Sequence, residues 1–194
     1  RRQRQMCIRD SLTHYDLALA LKYKGEAKQA VDEFQAALRL KPKWSDAEYG
    51  LGAAFYDLRD LPAAAKELQT AVSLAPANAA AHRLLARIYL EQSNAASAKA
   101  ELQRAIASKP SAELYTELGL AEGQLANLPG AAAAFRRAIQ LNPRFTTAYM
   151  LLGVTLRRQG DHAGALAEFR KAVAVDPGDP RAQFNLGKEL KAGG

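Results

Sequence analysis

The sequence predicts an all-α solenoid of stacked antiparallel helix pairs, and three observations carry that expectation. Prolines recur at positions 42, 76, 110, 143 and 177, so a unit of 34 residues, once shortened to 33, repeats through nearly all of the 194 residues. Within each period, apolar residues three and four apart mark two helical stretches. Short polar breaks with turn chemistry separate the two. Units of this size contact mainly their neighbours and share one continuous core seam, so function is expected on the surface that the stack creates.

The first unit sets the pattern, with helices expected near residues 11–24 and 27–40 and a break at Lys24-Gly25-Glu26. The corresponding breaks are Arg59-Asp60-Leu61-Pro62, Ser93-Asn94, Asn127-Leu128-Pro129-Gly130 and Gln159-Gly160-Asp161. Pro62 and Pro129 suit the first turn of a helix, where a backbone N–H would have no partner anyway. Each periodic proline ends a second helix and turns the chain into the next pair. The predicted repeats are 11–44, 45–78, 79–111, 112–145 and 146–179, followed by a capping helix over 180–191. That last helix repeats only the first half of the unit. Phe184, Leu186, Gly187 and Leu190 are expected on its buried side, with Arg181, Lys188, Glu189 and Lys191 outside. A cut within a longer array is the alternative reading of the same pattern.

Columns across the repeats supply the packing logic. Ala18, Gly52, Ala86, Gly119, Gly153 and Gly187 form a small-residue column in the first helices. Ala30, Ala64, Ala98, Ala131 and Ala165, then Ala37, Ala71, Ala105, Ala138 and Ala172, form two more in the second helices. Small side chains belong where helix axes come closest, because a larger one overpacks the contact at a cost of about 1–3 kcal/mol. Leu17, Leu51, Leu85, Leu118, Leu152 and Leu186, with Phe34, Leu68, Leu102, Phe135 and Phe169, are the large residues expected to fill the seam.

This alternation resembles the tetratricopeptide repeat family over residues 11–194: large, small and aromatic in the first helix, then alanine, aromatic, alanine and proline in the second. Phe55 and Tyr89 occupy the aromatic position that closes the first helix. Two departures stand out, the one-residue shortening before Ala112 and Glu122, which replaces Leu21, Phe55, Tyr89, Leu156 or Leu190 in its column and is expected as a rim carboxylate reaching solvent.

The resemblance implies a right-handed superhelical array whose first helices line a concave groove for partner segments. Groove positions are then Tyr15, Leu19, Lys22, Tyr23, Tyr49, Tyr56 and Asp57 in the first two pairs, and Arg83, Arg87 and Glu91 in the third. They continue with Glu113, Thr116, Leu120 and Gln124 in the fourth pair and Met150, Val154, Arg157 and Arg158 in the fifth. Tyrosines offer rigid area plus a hydroxyl, which makes Tyr15, Tyr23, Tyr49 and Tyr56 the expected anchors for a helix or extended peptide. Arg83 and Arg87, four apart on one helix face, are expected to take an acidic group. The lysine and asparagine pattern by which some members of the family grip a chaperone's C-terminal carboxylate is not met, because Tyr15, Leu19 and Gly50 occupy the required places.

Other functions find less support. Four arginines against Asp10 in residues 1–10 supply +3 of the formal net charge of +7, leaving +4 for residues 11–194. Basic residues there are interleaved with acids, so a phosphate-tracking stripe is not expected and nucleic acid is the disfavoured partner. His14 and His82 share a packing column and His162 sits at a turn, none with a second histidine at metal-ligand spacing. Gly50-Leu51-Gly52 lacks the strand and third glycine of a dinucleotide loop. The only cysteine, Cys7, excludes an internal disulfide. It falls in residues 1–10, read as a polar tail, and Gln5 to Ser11 match the translation of a transposon sequencing adaptor, so an origin outside the gene is the competing reading.

The expectation is therefore a non-catalytic scaffold, with no catalytic or metal residue, no cofactor and no membrane insertion, that binds a protein or peptide partner in the groove. The alternative is the interaction module of a larger enzyme or assembly factor. The compartment stays open, with the cytoplasm slightly favoured.

Overall fold

The computed structural model describes the backbone of residues 2–192 and the side chains of residues 9–192. Eleven helices and no strands lie among the described residues. Two compact units divide inside one helix, residues 1–88 forming unit 1 and residues 89–194 unit 2.

Unit 1 contains α1 (Arg2–Tyr23), α2 (Ala27–Leu40), α3 (Ser45–Asp57), α4 (Leu61–Leu74) and most of α5 (Ala79–Glu91). Antiparallel α1 and α2 pack as one hairpin and α3 with α4 as the next, while α2 also lies against α3. The expected tail is helical in backbone from Arg2, inside α1, while the side chains of residues 1–8 lie outside those described. Ala18, Ala30, Val31, Phe34, Leu51 and Ala54 form the buried seam, with Tyr15, Leu19, Leu21, Leu38 and Phe55 packed on it.

Unit 2 continues with α6 (Ala95–Ser108), α7 (Ala112–Gln124), α8 (Leu128–Leu141), α9 (Thr146–Arg158), α10 (His162–Val175) and α11 (Pro180–Ala192). Here α7 pairs with α8 and α9 with α10, while α11 packs on α10. Ala131, Ala132, Phe135, Leu152, Leu156, Ala165 and Phe169 fill the seam.

The hairpin turns repeat one device. Asp60, Asn94, Asn127 and Asp161 precede α4, α6, α8 and α10, and each side chain accepts the backbone N–H three residues on, at 3.1, 3.2, 3.2 and 2.8 Å. These bonds satisfy N–H groups that a helix start otherwise leaves open. Just before each cap or its counterpart Glu26, one residue has left-handed φ: Gly25 (82°), Arg59 (63°), Ser93 (58°), Ala126 (58°) and Gly160 (83°). Two turns use glycine, which tolerates that region, and three accept the cost of a side chain there.

The small-residue column does its expected work inside the hairpins. A Cβ on Gly52 would sit 2.8 Å from Leu68 Cγ and 3.2 Å from the Ala64 carbonyl, and one on Gly153 would sit 2.6 Å from the Phe169 ring. The ends of the columns depart from expectation. Leu17 and Leu190 are exposed, Phe184 is 69% exposed, and a Cβ on Gly187 would meet nothing within 4 Å. Instead α11 buries Ala182 and the supposedly external Glu189, the latter to 4% exposure. The reason is that a column position is buried only when a neighbouring helix covers it. At α11 none lies on that flank among the described residues.

Candidate functional site

The first helices of unit 1 carry the predicted tyrosines into two adjoining recesses. Tyr15, Leu19, Lys22 and Tyr23 of α1 form one wall of the first, and Asp46, Tyr49, Gly50 and Ala53 of α3 form the other, around a volume of about 180 Å³. The second, of about 220 Å³, lies between Tyr49 of α3 and Ala80, Arg83, Leu84 and Arg87 of α5. Positions 46, 49, 50 and 53 return one 34-residue period later as 80, 83, 84 and 87, so the two recesses share one construction and Tyr49 serves both.

Tyr15 is the most constrained of these side chains. Its ring packs edge-on to Phe34 at 5.8 Å and on Trp44 at 4.5 Å, and Lys41 Nζ lies 4.0 Å over the other aromatic, Trp44. Burial, followed by the nearby Asp46, Asp16 and Tyr49, pushes the Tyr15 phenol above its usual range, so the hydroxyl stays a neutral donor at physiological pH. Lys22 Nζ and Asp57 Oδ2 close the edge of the recess at 3.2 Å. Tyr23, 91% exposed, stands at its mouth.

Tyr56 lies outside both recesses. Arg87 stacks over its ring at 5.3 Å and donates to its hydroxyl at 3.3 Å, while Arg59 lies 6.0 Å over the same ring. The expected pairing of Arg83 and Arg87 on one acidic group is thus revised: both line the second recess, but the Arg87 guanidinium is already anchored on Tyr56.

In unit 2 the expected groove residues separate. Leu120 and Gln124 of α7 and Val154 and Arg158 of α9 line a recess of about 250 Å³, together with Leu151 and Thr155. Met150 is 6% exposed, packed on Ala172 and Ala182, because α10 and α11 cover that flank of α9. Thr116 is buried and donates its hydroxyl to the Ala112 carbonyl. Arg157 turns away, its guanidinium 5.9 Å from the Phe169 ring and 3.5 Å from Glu189 Oε2. His162 Nδ1 meets the other oxygen of Glu189 at 2.8 Å. Glu122 is not a rim carboxylate: it is 7% exposed, its charge balanced by Lys99 Nζ at 2.8 Å and its other oxygen accepting from Asn127 Nδ2 at 2.9 Å, which together offset the penalty of burial.

Sequence reading took one face of each first helix and so missed Asp46, Gly50, Ala53, Leu84, Leu151 and Thr155. A groove between two parallel neighbours is walled by opposite flanks of its two helices, and the second flank sits three to four residues earlier. Among the described residues, no helix is long and apolar enough to cross a membrane, and no group of three or more His, Cys, Asp or Glu is placed to hold a metal ion.

Comparison with known proteins follows this geometry. A search of curated proteins returns no match. Among solved structures, MamA from Desulfovibrio magneticus RS-1 is similar with a TM-score of 0.82 at 21% identity, covering 88% of this chain and 97% of that one. YrrB, described as a tetratricopeptide repeat protein with an unusual peptide-binding site, is similar with a TM-score of 0.79 at 21% identity, covering 90% and 91%. PilF from Pseudomonas aeruginosa is similar with a TM-score of 0.80 at 19% identity, covering 98% of this chain and 86% of that one. At these identities the likeness is one of fold. The tetratricopeptide repeat model matches residues 15–78, 49–113 and 116–188, the stretches whose alanine and proline columns set the hairpin packing, and on that match the chain belongs to the tetratricopeptide repeat family.

Proposed function

We propose that the chain is a non-catalytic scaffold that binds an extended or helical segment of a partner protein along the recesses of unit 1. The observation that carries this reading is the convergence of Tyr15, Leu19, Tyr23 and Tyr49 on one recess that adjoins a second lined by Arg83 and Arg87. Neutral aromatic walls suit an apolar side chain. Arg83 beyond Tyr49, with Arg87 held on Tyr56 beside it, suits a carboxylate a few residues along the same segment. The family is one of protein-interaction scaffolds, and YrrB is described by its peptide-binding site, which supports the same reading. The recess of unit 2 around Leu120 and Arg158 carries no tyrosine.

The test is selection of displayed random peptides on the full chain, followed by titration of the enriched sequences. Peptides pairing an aromatic or aliphatic residue with an acidic one are expected, at about micromolar affinity, or roughly −8 kcal/mol. Tyr49→Ala and Arg83→Glu should each weaken binding at least tenfold, about 1.4 kcal/mol, with the helical circular-dichroism signal unchanged. Unchanged affinity in both folded variants would place the site elsewhere. Binding that instead collapses with salt and ignores peptide sequence would mark a polyanion partner.

A further inference from the structure

The recess of unit 2 repeats the first recess of unit 1 in register but not in chemistry. Leu120, Gly123 and Gln124 of α7, with Val154 and Arg158 of α9, stand three repeats after Leu19, Lys22, Tyr23, Ala53 and Asp57. In unit 1 the edge is closed by the Lys22–Asp57 ion pair at 3.2 Å. In unit 2 both members are replaced: Gly123 takes the place of the lysine and Arg158 that of the aspartate. A Cβ on Gly123 would meet nothing within 4 Å, so the edge is open on the α7 side. Arg158 is exposed and has no hydrogen-bond, ion-pair or ring partner among the described residues. The acids near these two positions in sequence are committed elsewhere: Asp161 accepts from the Gly164 N–H at 2.8 Å, and Glu122 is balanced by Lys99 at 2.8 Å. The edge therefore carries an uncompensated positive charge, to which the Gln124 side chain adds a neutral donor.

Inside this edge the recess is apolar. Gly119 has no side chain to cover the Phe135 ring, and Leu120, Leu151 and Val154 line the rest. Its volume of about 250 Å³ is below the roughly 300–1,000 Å³ of sites that enclose a whole small molecule, so it suits a single large side chain. A desolvated apolar floor gains from burying such a side chain, and a guanidinium without a partner gains from a carboxylate through charge-assisted hydrogen bonds. Because Arg158 stands at the edge of the same recess, both groups of an occupant must be adjacent. In unit 1 they are separated, since the edge of the first recess is self-neutralised and Arg83 belongs to the second.

We propose that the unit 2 recess is a second peptide site, which takes an apolar side chain directly flanked by Asp or Glu and pairs that carboxylate with Arg158. The kind of partner, a segment of another protein, rests on the scaffold reading given above. The site and its ligand chemistry do not depend on the recesses of unit 1.

The test uses the full chain with the unit 1 recesses impaired by Tyr49→Ala and Arg83→Glu, on which displayed random peptides are selected. Enriched peptides should place Asp or Glu next to a leucine, isoleucine or phenylalanine. Their binding should shift the methyl NMR signals of Leu120, Leu151 and Val154 and leave those of Leu19 in place. Adding Arg158→Asp should weaken them at least about tenfold with the circular-dichroism signal unchanged, and a peptide whose acid is exchanged for lysine should bind that variant better than the parent. Gly123→Lys combined with Arg158→Asp rebuilds the ion pair of unit 1 and should remove the preference for an acid altogether. Failure to enrich any peptide, enriched peptides without an acid, or affinity indifferent to Arg158→Asp overturns the second site. Tyr49→Ala on peptides selected with the wild-type chain judges unit 1 by itself, so either site can fail while the other stands.

Discussion

Gly153→Ala and Gly187→Ala add the same methyl group at the same column of two first helices, and the structure requires opposite signs. At Gly153 the new Cβ would lie 2.6 Å from a ring carbon of Phe169, which is fully buried. Ordinary carbon contacts sit at about 3.5–4.0 Å, so ring or helix must shift by roughly 1 Å. Overpacking of this kind costs about 1–3 kcal/mol, and replacing a mid-helix glycine returns about 1 kcal/mol of backbone entropy. The net expectation is a loss of about 1 kcal/mol. At Gly187 nothing lies within 4 Å of the new Cβ, so only the entropic gain of about 1 kcal/mol remains. The two variants should therefore differ by about 2 kcal/mol, or roughly 4–8 °C in melting midpoint for a chain of this size. Thermal and urea midpoints by circular dichroism decide it. Because repeat arrays lose cooperativity, amide exchange within α9 and α11 should accompany the midpoints. A stabilised Gly153→Ala or a destabilised Gly187→Ala would refute the assignment of close packing to the hairpins and open space to α11.

Further outcomes follow from the same coordinates. Ala126→Gly relieves a left-handed alanine (φ 58°) and should stabilise by up to about 1 kcal/mol, read from the urea midpoint; no gain would mean the turn relaxes freely. Glu122→Ala should cost about 2 kcal/mol, since it leaves a void and strips Lys99 of its partner, whereas Glu122→Leu should be near neutral because an apolar isostere replaces a buried ion pair at little net cost. A Leu variant less stable than the Ala variant would show that the site needs its charge. Folded Glu48 keeps its proton up to about 7 while the free side chain loses it near 4.5, so the folded chain binds more protons between these values and its stability falls as pH rises through them. Below about 4.5 that stabilising contribution is complete. Glu48→Gln should remove the slope, gaining about 1 kcal/mol over wild type at pH 8, a figure kept at the scale of partly exposed pairs; parallel pH profiles would contradict it. Asp161→Ala removes a 2.8 Å cap bond and should lower stability by about 1 kcal/mol, checked by thermal unfolding.

The hairpins were legible because the 34-residue period multiplies every local signal. A proline that stops a helix, or an alanine at a helix contact, is weak alone and strong when it recurs in register. Left-handed Arg59, Ser93 and Ala126 were not legible, since their residue types do not favour that region and only the geometry of the turn imposes it. The first recess was half legible. Tyr15, Leu19, Tyr23 and Tyr49 were foreseen from helix faces, whereas Asp46 and Gly50 come from the opposite flank of the neighbouring helix. Met150 and Arg157 occupy columns equivalent to Tyr49 and Tyr56, yet α10 and α11 cover one and Glu189 captures the other.

By itself the sequence determined the repeat length, the order of helices and the identity of the small and large packing columns, because these depend on periodicity and on steric size along the chain. Which members of a column are buried was decided only by tertiary structure, through the presence or absence of a covering helix. The same holds for charges. Glu122, Glu189 and Glu48 are all single glutamates in sequence, and only their distinct surroundings make the first an internal ion pair, the second a buried partner of Arg157 and His162, and the third a carboxyl that holds its proton near neutrality. The physical reason is that a carboxylate's state is set by desolvation and by its nearest charges, and both are properties of what the fold brings beside it.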